Sequence, residues 1–505
     1  MNIKNDMDKR RYIIVFVMLL GIQSLILAQN KQIPRNVSII ANKSNRYVYN
    51  INDYGANNDT TCTSTKAIQD AIDECSLNGG GRVVIPAGTY KSGTIVLKDN
   101  VELHLSNGAI LKASRNAEDF IIFPHTEYRS LKDIGGWASL IYADGAKNIS
   151  ITGNGTIDGD GKGIRGMIRN VSGDCNGRPR NILLISCANV RVSDVTIRNA
   201  AMWNQHYLNC DDVMVANIRS WNHCNGNNDG VDIDGCRRFI LSSSIIDSDD
   251  DGIVLKSTGL APCEDVIVTG CTVSSFANAI KLGTESTGGY KNILISDCVV
   301  KPSANKGDRV IKSTPSGISA ISLEEVDGGV MDGVTVNNIL IDGTECPLFI
   351  RLGNRGRKHI AEAPVPPIGT IRNIRISNVT AYHTGNFGSS ITGIWDKKIE
   401  NVSLSDIRIV NRGGLKKGAY RLKDADYGMR HDMAGNVFAD KYWIGEKDVK
   451  EDDKGYPQPT VWGNLPSYGL FIRHVKNVKM NNVTFESEVE DPRKPLIAVD
   501  VDNIE

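Results

Sequence analysis

Short apolar stretches recur along the chain in one pattern: a polar residue, an apolar one, any residue, then a second apolar one. The unit reads Asn148-Ile149-Ser150-Ile151, Asn189-Val190-Arg191-Val192, Asp212-Val213-Met214-Val215 and Asp265-Val266-Ile267-Val268. It continues as Asn292-Ile293-Leu294-Ile295, Asn373-Ile374-Arg375-Ile376, Asn401-Val402-Ser403-Leu404 and Asn477-Val478-Lys479-Met480. In the best-preserved stretch a cysteine stands three residues ahead of the first apolar position, at Cys187, Cys210, Cys236 and Cys263, with gaps of 23, 26 and 27 residues. Alternating β-branched residues predict strands, and the Gly, Asn and Asp between them predict corners. One unit is too short to close a core. Stacked units can do so, because each coil of a parallel β-helix pairs with the coils above and below it. The repeat therefore predicts an all-β solenoid.

A solenoid needs a cap over its open end. Thr63 to Cys75 supplies one: Ile68, Ala71, Ile72 and Cys75 share a helical face before the Asn78-Gly79-Gly80-Gly81 breaker. This predicts an N-terminal helical cap region over about residues 47–105, with the first coil running from Val83 to Tyr90. From Asn411 to Tyr468 the repeat lapses into a polar, charged and aromatic stretch with Tyr442, Trp443, Tyr456 and Trp462. We read residues 411–468 as a long insertion leaning on the helix, with coils resuming at Phe471.

The first residues have a different character. Lys4, Lys9, Arg10 and Arg11 precede an apolar run from Tyr12 to Leu27 and then Ala28-Gln29, the order of a secretory signal peptide cleaved after Ala28. The run is short for a membrane span, and no lipobox cysteine sits near the cut. Residues 29–505 are then the mature β-helix domain, expected as a secreted or periplasmic monomer that is free of the membrane after cleavage. Zero formal charge and a pI near 7.1 give no footing for nucleic acid or an anionic membrane surface. The 11 cysteines would suit disulfides with a leftover thiol, but their recurrence at repeat positions favours small buried apolar residues.

The repeat also supplies a register for the acidic residues. Asp229-Gly230-Val231-Asp232-Ile233 and Asp251-Gly252-Ile253-Val254-Leu255 align over 22 residues, and Asn278-Ala279-Ile280-Lys281-Leu282 follows after 27 more. With Val231, Ile253 and Ile280 stacked inward, Asp229, Asp251 and Asn278 share one corner, about 4.8 Å apart from coil to coil. Asp250 points to another side of that corner. Crowded carboxylates raise the proton affinity of at least one member, and a protonated acid beside ionised partners is what glycoside hydrolysis uses. Two other readings stay open: corner aspartates such as Asp234, Asp247 and Asp249 can simply cap turns, and such a cluster can hold Ca²⁺.

At these residues the sequence resembles the family 28 glycoside hydrolases, the polygalacturonase group within the pectate-lyase-type β-helix superfamily. The resemblance rests on Arg178-Pro179-Arg180-Asn181-Ile182, Asn199-Ala200-Ala201-Met202-Trp203 and Cys210, on Asn227-Asn228-Asp229 where the family has Asn-Thr-Asp, and on Asp250-Asp251-Gly252-Ile253 followed by Lys256-Ser257. It implies a right-handed parallel β-helix and hydrolysis with inversion, with Asp250 as general acid and Asp229 and Asp251 activating water. No cofactor or resident metal is implied. Two positions depart from the family: its Gly-His-Gly falls on Ala277-Asn278-Ala279, and its Arg-Ile-Lys falls near Ala320-Ile321-Ser322.

Asn227, Asn278, Lys281 and Lys256 are the candidate substrate-binding residues of the coils, with Lys281 equally suited to neutralising Asp232. Glu285, Glu324, Glu325 and Arg351 can extend a cleft on later coils. Trp462 and Tyr468 lie in Tyr456-Pro457-Gln458-Pro459 to Tyr468-Gly469 and Arg473-His474, a segment similar to one in bacterial members. They are candidate walls for stacked sugar rings, or else packing for the insertion. The expected partner is a pectin-type polysaccharide or oligosaccharide, of galacturonan or rhamnogalacturonan-like type, and the long insertion points to exo action. A Ca²⁺-dependent lyase and a non-catalytic glycan-binding β-helix are the alternatives on the same fold.

Overall fold

The computed structural model describes residues 47–123, 138–164, 178–306, 316–417, 429–431, 437–439 and 442–505. The signal-peptide reading of residues 1–28 lies outside them, as does part of the 411–468 stretch.

The described chain winds as a right-handed parallel β-helix whose strands join into one 31-stranded sheet system. Three columns of strands run along it. In the first, the repeat unit stacks in register: Ile149 pairs with Val190, Val190 with Val213, Val213 with Phe239 and Phe239 with Val266, and the series continues through Ile293, Val334, Ile374 and Val402 to Val478. These side chains are buried in one continuous core.

The polar residue that opens each unit has a backbone reason. Asn148, Asn189, Asp212, Asp265, Asn292, Asn373, Asn401 and Asn477 all have φ between 54° and 60°, the left-handed region that Asn and Asp tolerate best among residues with a Cβ. Their side chains then bond from coil to coil, as in Asn189 Nδ2 to Asn148 Oδ1 at 2.8 Å and Asn292 Nδ2 to Asp265 Oδ1 at 3.0 Å. Corner chemistry and coil stacking reinforce one another.

The cap forms as the periodicity requires. Helix Thr65–Leu77 buries Ala67, Ile68, Ala71, Ile72 and Cys75 against the first coil, whose strands are Gly81–Ile85 and Gly88–Ser92. Cys187, Cys210, Cys236 and Cys263 are buried free thiols at one level of successive coils. No helix among the described residues is long and apolar enough to cross a membrane.

The third column positions the site. Its inward residues run Tyr207, Ile233, Leu255, Leu282, Leu323 and Ile350. Its outward residues run His206, Asp232, Val254, Lys281 and Ser322, then change to Phe349 and later Phe471. The change marks where the insertion lands: Ile444, Val449, Val461, Trp462 and Leu465 close an apolar cluster over Phe349, Phe387 and Phe471. This apolar contact seats the described part of the insertion on the later coils.

A corner substitution tests the backbone argument. Asn292→Ala should lower stability by about 1–2 kcal/mol through the left-handed penalty, while Asn292→Gly should cost much less; urea unfolding of both variants checks the contrast.

Candidate active site

Asp229, Asp251 and Asn278 enter successive strands, Val231–Asp234, Ile253–Ser257 and Asn278–Ser286. Gly230 N donates to Asp251 O and Gly252 N to Asn278 O, both at 2.9 Å, so the three residues lie one above another. Glycine follows each aspartate because the next coil passes too close for a side chain. A Cβ at Gly230 would come within 2.6 Å of Gly252 O, and one at Gly252 within 2.5 Å of Ala279 O. The expected column therefore forms.

Asp251 is the most firmly held carboxylate. Its Oδ1 accepts from Asn278 N at 3.1 Å and Asn278 Nδ2 at 2.6 Å, and its Oδ2 accepts from Lys281 Nζ at 3.0 Å. Ser319 Oγ donates to Asn278 Oδ1 at 2.7 Å, which occupies the other end of that amide. Asn278 is thus engaged with Asp251 and Ser319, rather than turned to an open cleft as a substrate ligand. Asp250, by contrast, is half-buried, and only its backbone oxygen and Oδ1 are tied, to Ser248, Ser275 and Asp251 N.

Two buried lysines carry the compensating charge, and they divide the work differently from the reading that set Lys281 against Asp232. Lys256 Nζ lies 3.6 Å from Asp229 and 3.5 Å from both Asp232 and Glu285, over the Trp203 ring at 4.5 Å. Lys281 turns to Asp251 and Glu324, the latter at 3.8 Å, and donates to Tyr456 Oη at 3.3 Å. Val254 separates Lys281 from Asp232, placing them two coil spacings or about 9.6 Å apart, so the lysine serves the coil between.

Burial and crowding set the proton affinities. Burial first, then Asp232 and Asp250, push Asp229 well above the usual carboxylate range, against the pull of Lys256. Burial and Asp251 raise Asp250 to about 6, against Lys281 and Lys256. Burial raises Asp232 to about 7, opposed by Lys256 and Arg180. For Lys256, burial favours the neutral amine, but Glu285, Asp232 and Asp229 outweigh it and hold the ammonium charged. Lys281 is held charged in the same way by Asp251 and Glu324. The site therefore combines proton-retaining carboxyls with two fixed cations.

The remaining expected residues scatter. Asn227 is exposed, and its Oδ1 accepts from Arg178 Nη2 at 2.7 Å. Glu285 and Glu324 join the cluster through the two lysines, whereas Glu325 turns away to accept from Gly329 N. Arg351 is covered by the insertion, donating to Glu451 O and Asp452 O. Trp462 is buried against Phe349 and Arg351, with its indole N–H on Lys450 O, and so serves packing. Tyr468 donates to Phe485 O, away from the aspartates.

The aromatic groups that do meet the site are Trp203, above Lys256, and Tyr456, on Lys281. Trp203 comes 53 residues before Lys256 and Tyr456 comes 175 residues after Lys281, so neither contact is a local one. Asp232 was legible only as a column mate of Lys281. Among the described residues, no group of three His, Cys, Asp or Glu side chains is placed to hold a metal ion.

Comparison with known proteins bears on this arrangement. The model of the glycosyl hydrolases of family 28 matches residues 75–424. A probable polygalacturonase of Vitis vinifera is 30% identical over 49% of this chain and 53% of its own length, about half of that relative. An exo-poly-alpha-D-galacturonosidase of Dickeya chrysanthemi is 25% identical over 71% of this chain and 68% of its own. Among solved structures, an exopolygalacturonase of Thermotoga maritima superposes with a TM-score of 0.59 at 22% identity, over 72% of this chain and 87% of that one. A family 28 exopolygalacturonase of Yersinia enterocolitica gives 0.61 at 19% identity, over 91% and 78%. These two structures share the fold.

Glu324 supplies a test of the electrostatics. It is fully buried, neither carboxyl oxygen has a hydrogen-bond partner, and burial raises it to about 8 against the pull of Lys281. A carboxyl raised in the folded state adds stability that is complete below its unfolded pKa of about 4.3 and is lost as pH rises through about 8. Glu324→Gln should therefore raise the thermal midpoint near pH 9 and leave it almost unchanged near pH 5, as differential scanning fluorimetry across that range will read.

Proposed function

The chain belongs to the glycosyl hydrolases of family 28, and from that premise we propose that it cleaves a pectin-type chain, galacturonan or rhamnogalacturonan-like, with inversion and from a chain end. As a member of that family it is a glycoside hydrolase, polygalacturonase-like in its relatives. The observation that carries the reaction is the contrast between two adjacent carboxyls. Asp250 is half-buried and retains a proton up to about pH 6, while Asp251 beside it accepts from three donors.

In this reading Asp250 protonates the glycosidic oxygen as the bond to the anomeric carbon breaks. Asp251 takes the proton from a water that attacks the opposite face of the sugar, and Asp229, one coil away, helps to hold that water. The aglycone leaves as an alcohol, and the new anomeric hydroxyl carries the inverted configuration. Lys281 and Lys256 place fixed positive charge on the base side, Lys281 on Asp251 and Lys256 beside Asp229. Tyr456, exposed beside Lys281, rather than Trp462 or Tyr468, is the aromatic surface that borders the charged site, while the buried Trp203 ring backs Lys256.

Exo action is supported by the placement of the insertion. Its described part covers the outward face of the coils that follow Lys281, with Tyr456 against the lysine itself, which shortens the cleft on that side. The Dickeya relative, named for exo action, is consistent with it. Export with cleavage near Ala28 completes the proposal, since the polymer lies outside the cell.

Asp250→Asn should lower kcat on pectic oligosaccharides by about 10²–10⁴-fold with little change in KM, as expected for loss of a general acid. Proton NMR of the first product formed should show the anomeric configuration opposite to that of the bond cut. Retained configuration, or an active Asp250→Asn variant, would overturn the assignment. In the wild-type protein the alkaline limb of kcat should follow the raised Asp250, with activity falling as pH passes about 6.

A further inference from the structure

We propose that His223 is a positioning residue whose imidazolium, held between Asp247 and Asp249, locks the loop carrying Asp229 to the loop carrying Asp250 and Asp251. The proposal rests on the catalytic reading of those three aspartates.

His223 leaves strand Arg219–Asn222 at the start of the loop that ends in Asp229. The aspartates that grip it close strand Ile245–Ser248 and open the turn into Asp250. His223 Nδ1 lies 2.6 Å from Asp249 Oδ1, and Nε2 lies 3.1 Å from Asp247 Oδ1. Carboxylates only accept, so both ring nitrogens must donate for both contacts to be favourable, and only the imidazolium has two N–H groups. A neutral ring would turn one lone pair onto a carboxylate oxygen.

The surroundings favour a fixed geometry. The His223 side chain is 5% exposed, with the Trp221 ring at 4.4 Å and the Phe276 ring at 6.0 Å. Burial works against its charge, but the hydrogen bonds and charges of Asp247 and Asp249 outweigh it and raise its proton affinity above that of free imidazole. Those two carboxylates and two rings face it, and the adjoining Cys224 thiol is pushed up to about 11 and stays neutral. The clamp reaches a third segment, since Ala304 N donates to Asp247 Oδ2 at 3.0 Å and Asn305 Nδ2 to Asp249 Oδ1 at 3.4 Å.

Both catalytic loops also close on backbone contacts beside the clamp. Asp249 N donates to Asn222 O at 3.1 Å, and Asn222 Nδ2 donates to Asp229 O at 3.2 Å. Ser248 Oγ bonds the carbonyls of Asp250 and Asp251. Loss of the imidazolium charge therefore acts on the separation between acid and base rather than on any group that meets the substrate.

The test is a double-mutant cycle with His223→Gln and Asp249→Asn on the full chain, read by steady-state kinetics and by thermal midpoint against pH. Each single variant should lower kcat about 10- to 100-fold with KM within about twofold, and the double variant should be no worse than the poorer single. A histidine raised in the folded state adds stability that is lost as pH climbs above about 6.5, so the wild-type midpoint should fall more steeply there than that of His223→Gln. An unchanged kcat, a rise in KM at constant kcat, or additive losses would each overturn the clamp. Should His223→Gln fail to fold, Asp249→Asn, which leaves the imidazole on Asp247, carries the kinetic comparison. An active Asp250→Asn would sink the catalytic reading instead, and the pH dependence of the midpoint would still decide whether the clamp exists.

Discussion

Every feature of this molecule depends on backbone hydrogen bonding between successive coils at a spacing of about 4.8 Å. That spacing turns a position in the repeat into a position in space. Residues one coil apart become neighbours whatever lies between them in the chain, as Val231, Ile253 and Ile280 do in the core. The same rule puts Asn on Asn at the corners and Asp229 over Asp251 at the site. A fold that stacks like on like concentrates charge wherever the sequence repeats an acidic residue.

Crowding of this kind must be relieved, and here two lysines do it from inside. Lys256 and Lys281 are almost fully buried, each touching carboxylates of more than one coil, and burial would strip either of its charge without those partners. The relief is uneven. Asp251 receives an amide, an amide side chain and an ammonium, while Asp232 and Glu324 have a lysine nearby but no hydrogen bond. Unequal solvation of like groups sets their proton affinities apart, which is the condition for one carboxyl to give a proton while another takes one.

The outward face of the third column is divided accordingly. Where it bears Asp232 and Lys281 it forms the charged site; where it bears Phe349 and Phe471 it forms a seat for the insertion. Tyr456 joins the two regions by reaching Lys281, so the segment that packs on the later coils also borders the charged ones. Packing and chemistry share one strip of sheet.

The coils, the cap helix and the acidic column were legible in the sequence, because each follows from a short-range rule. Alternation gives strands, left-handed corners select Asn and Asp, and across the acidic coils a repeat of 22 to 27 residues sets which residues stack. Asp229, Asp250, Asp251 and Asn278 were legible for this reason. The partners of the long side chains were set by packing in three dimensions. Lys281 turned to Asp251 and Glu324 while Lys256 took Asp232, Trp462 went into packing, Tyr456 came to the site, and His223 found Asp247 and Asp249. A lysine or an aromatic ring reaches farther than one coil spacing, so register alone leaves it several neighbours. The choice falls to desolvation and to where a non-repeating segment folds back, and neither has a period along the chain.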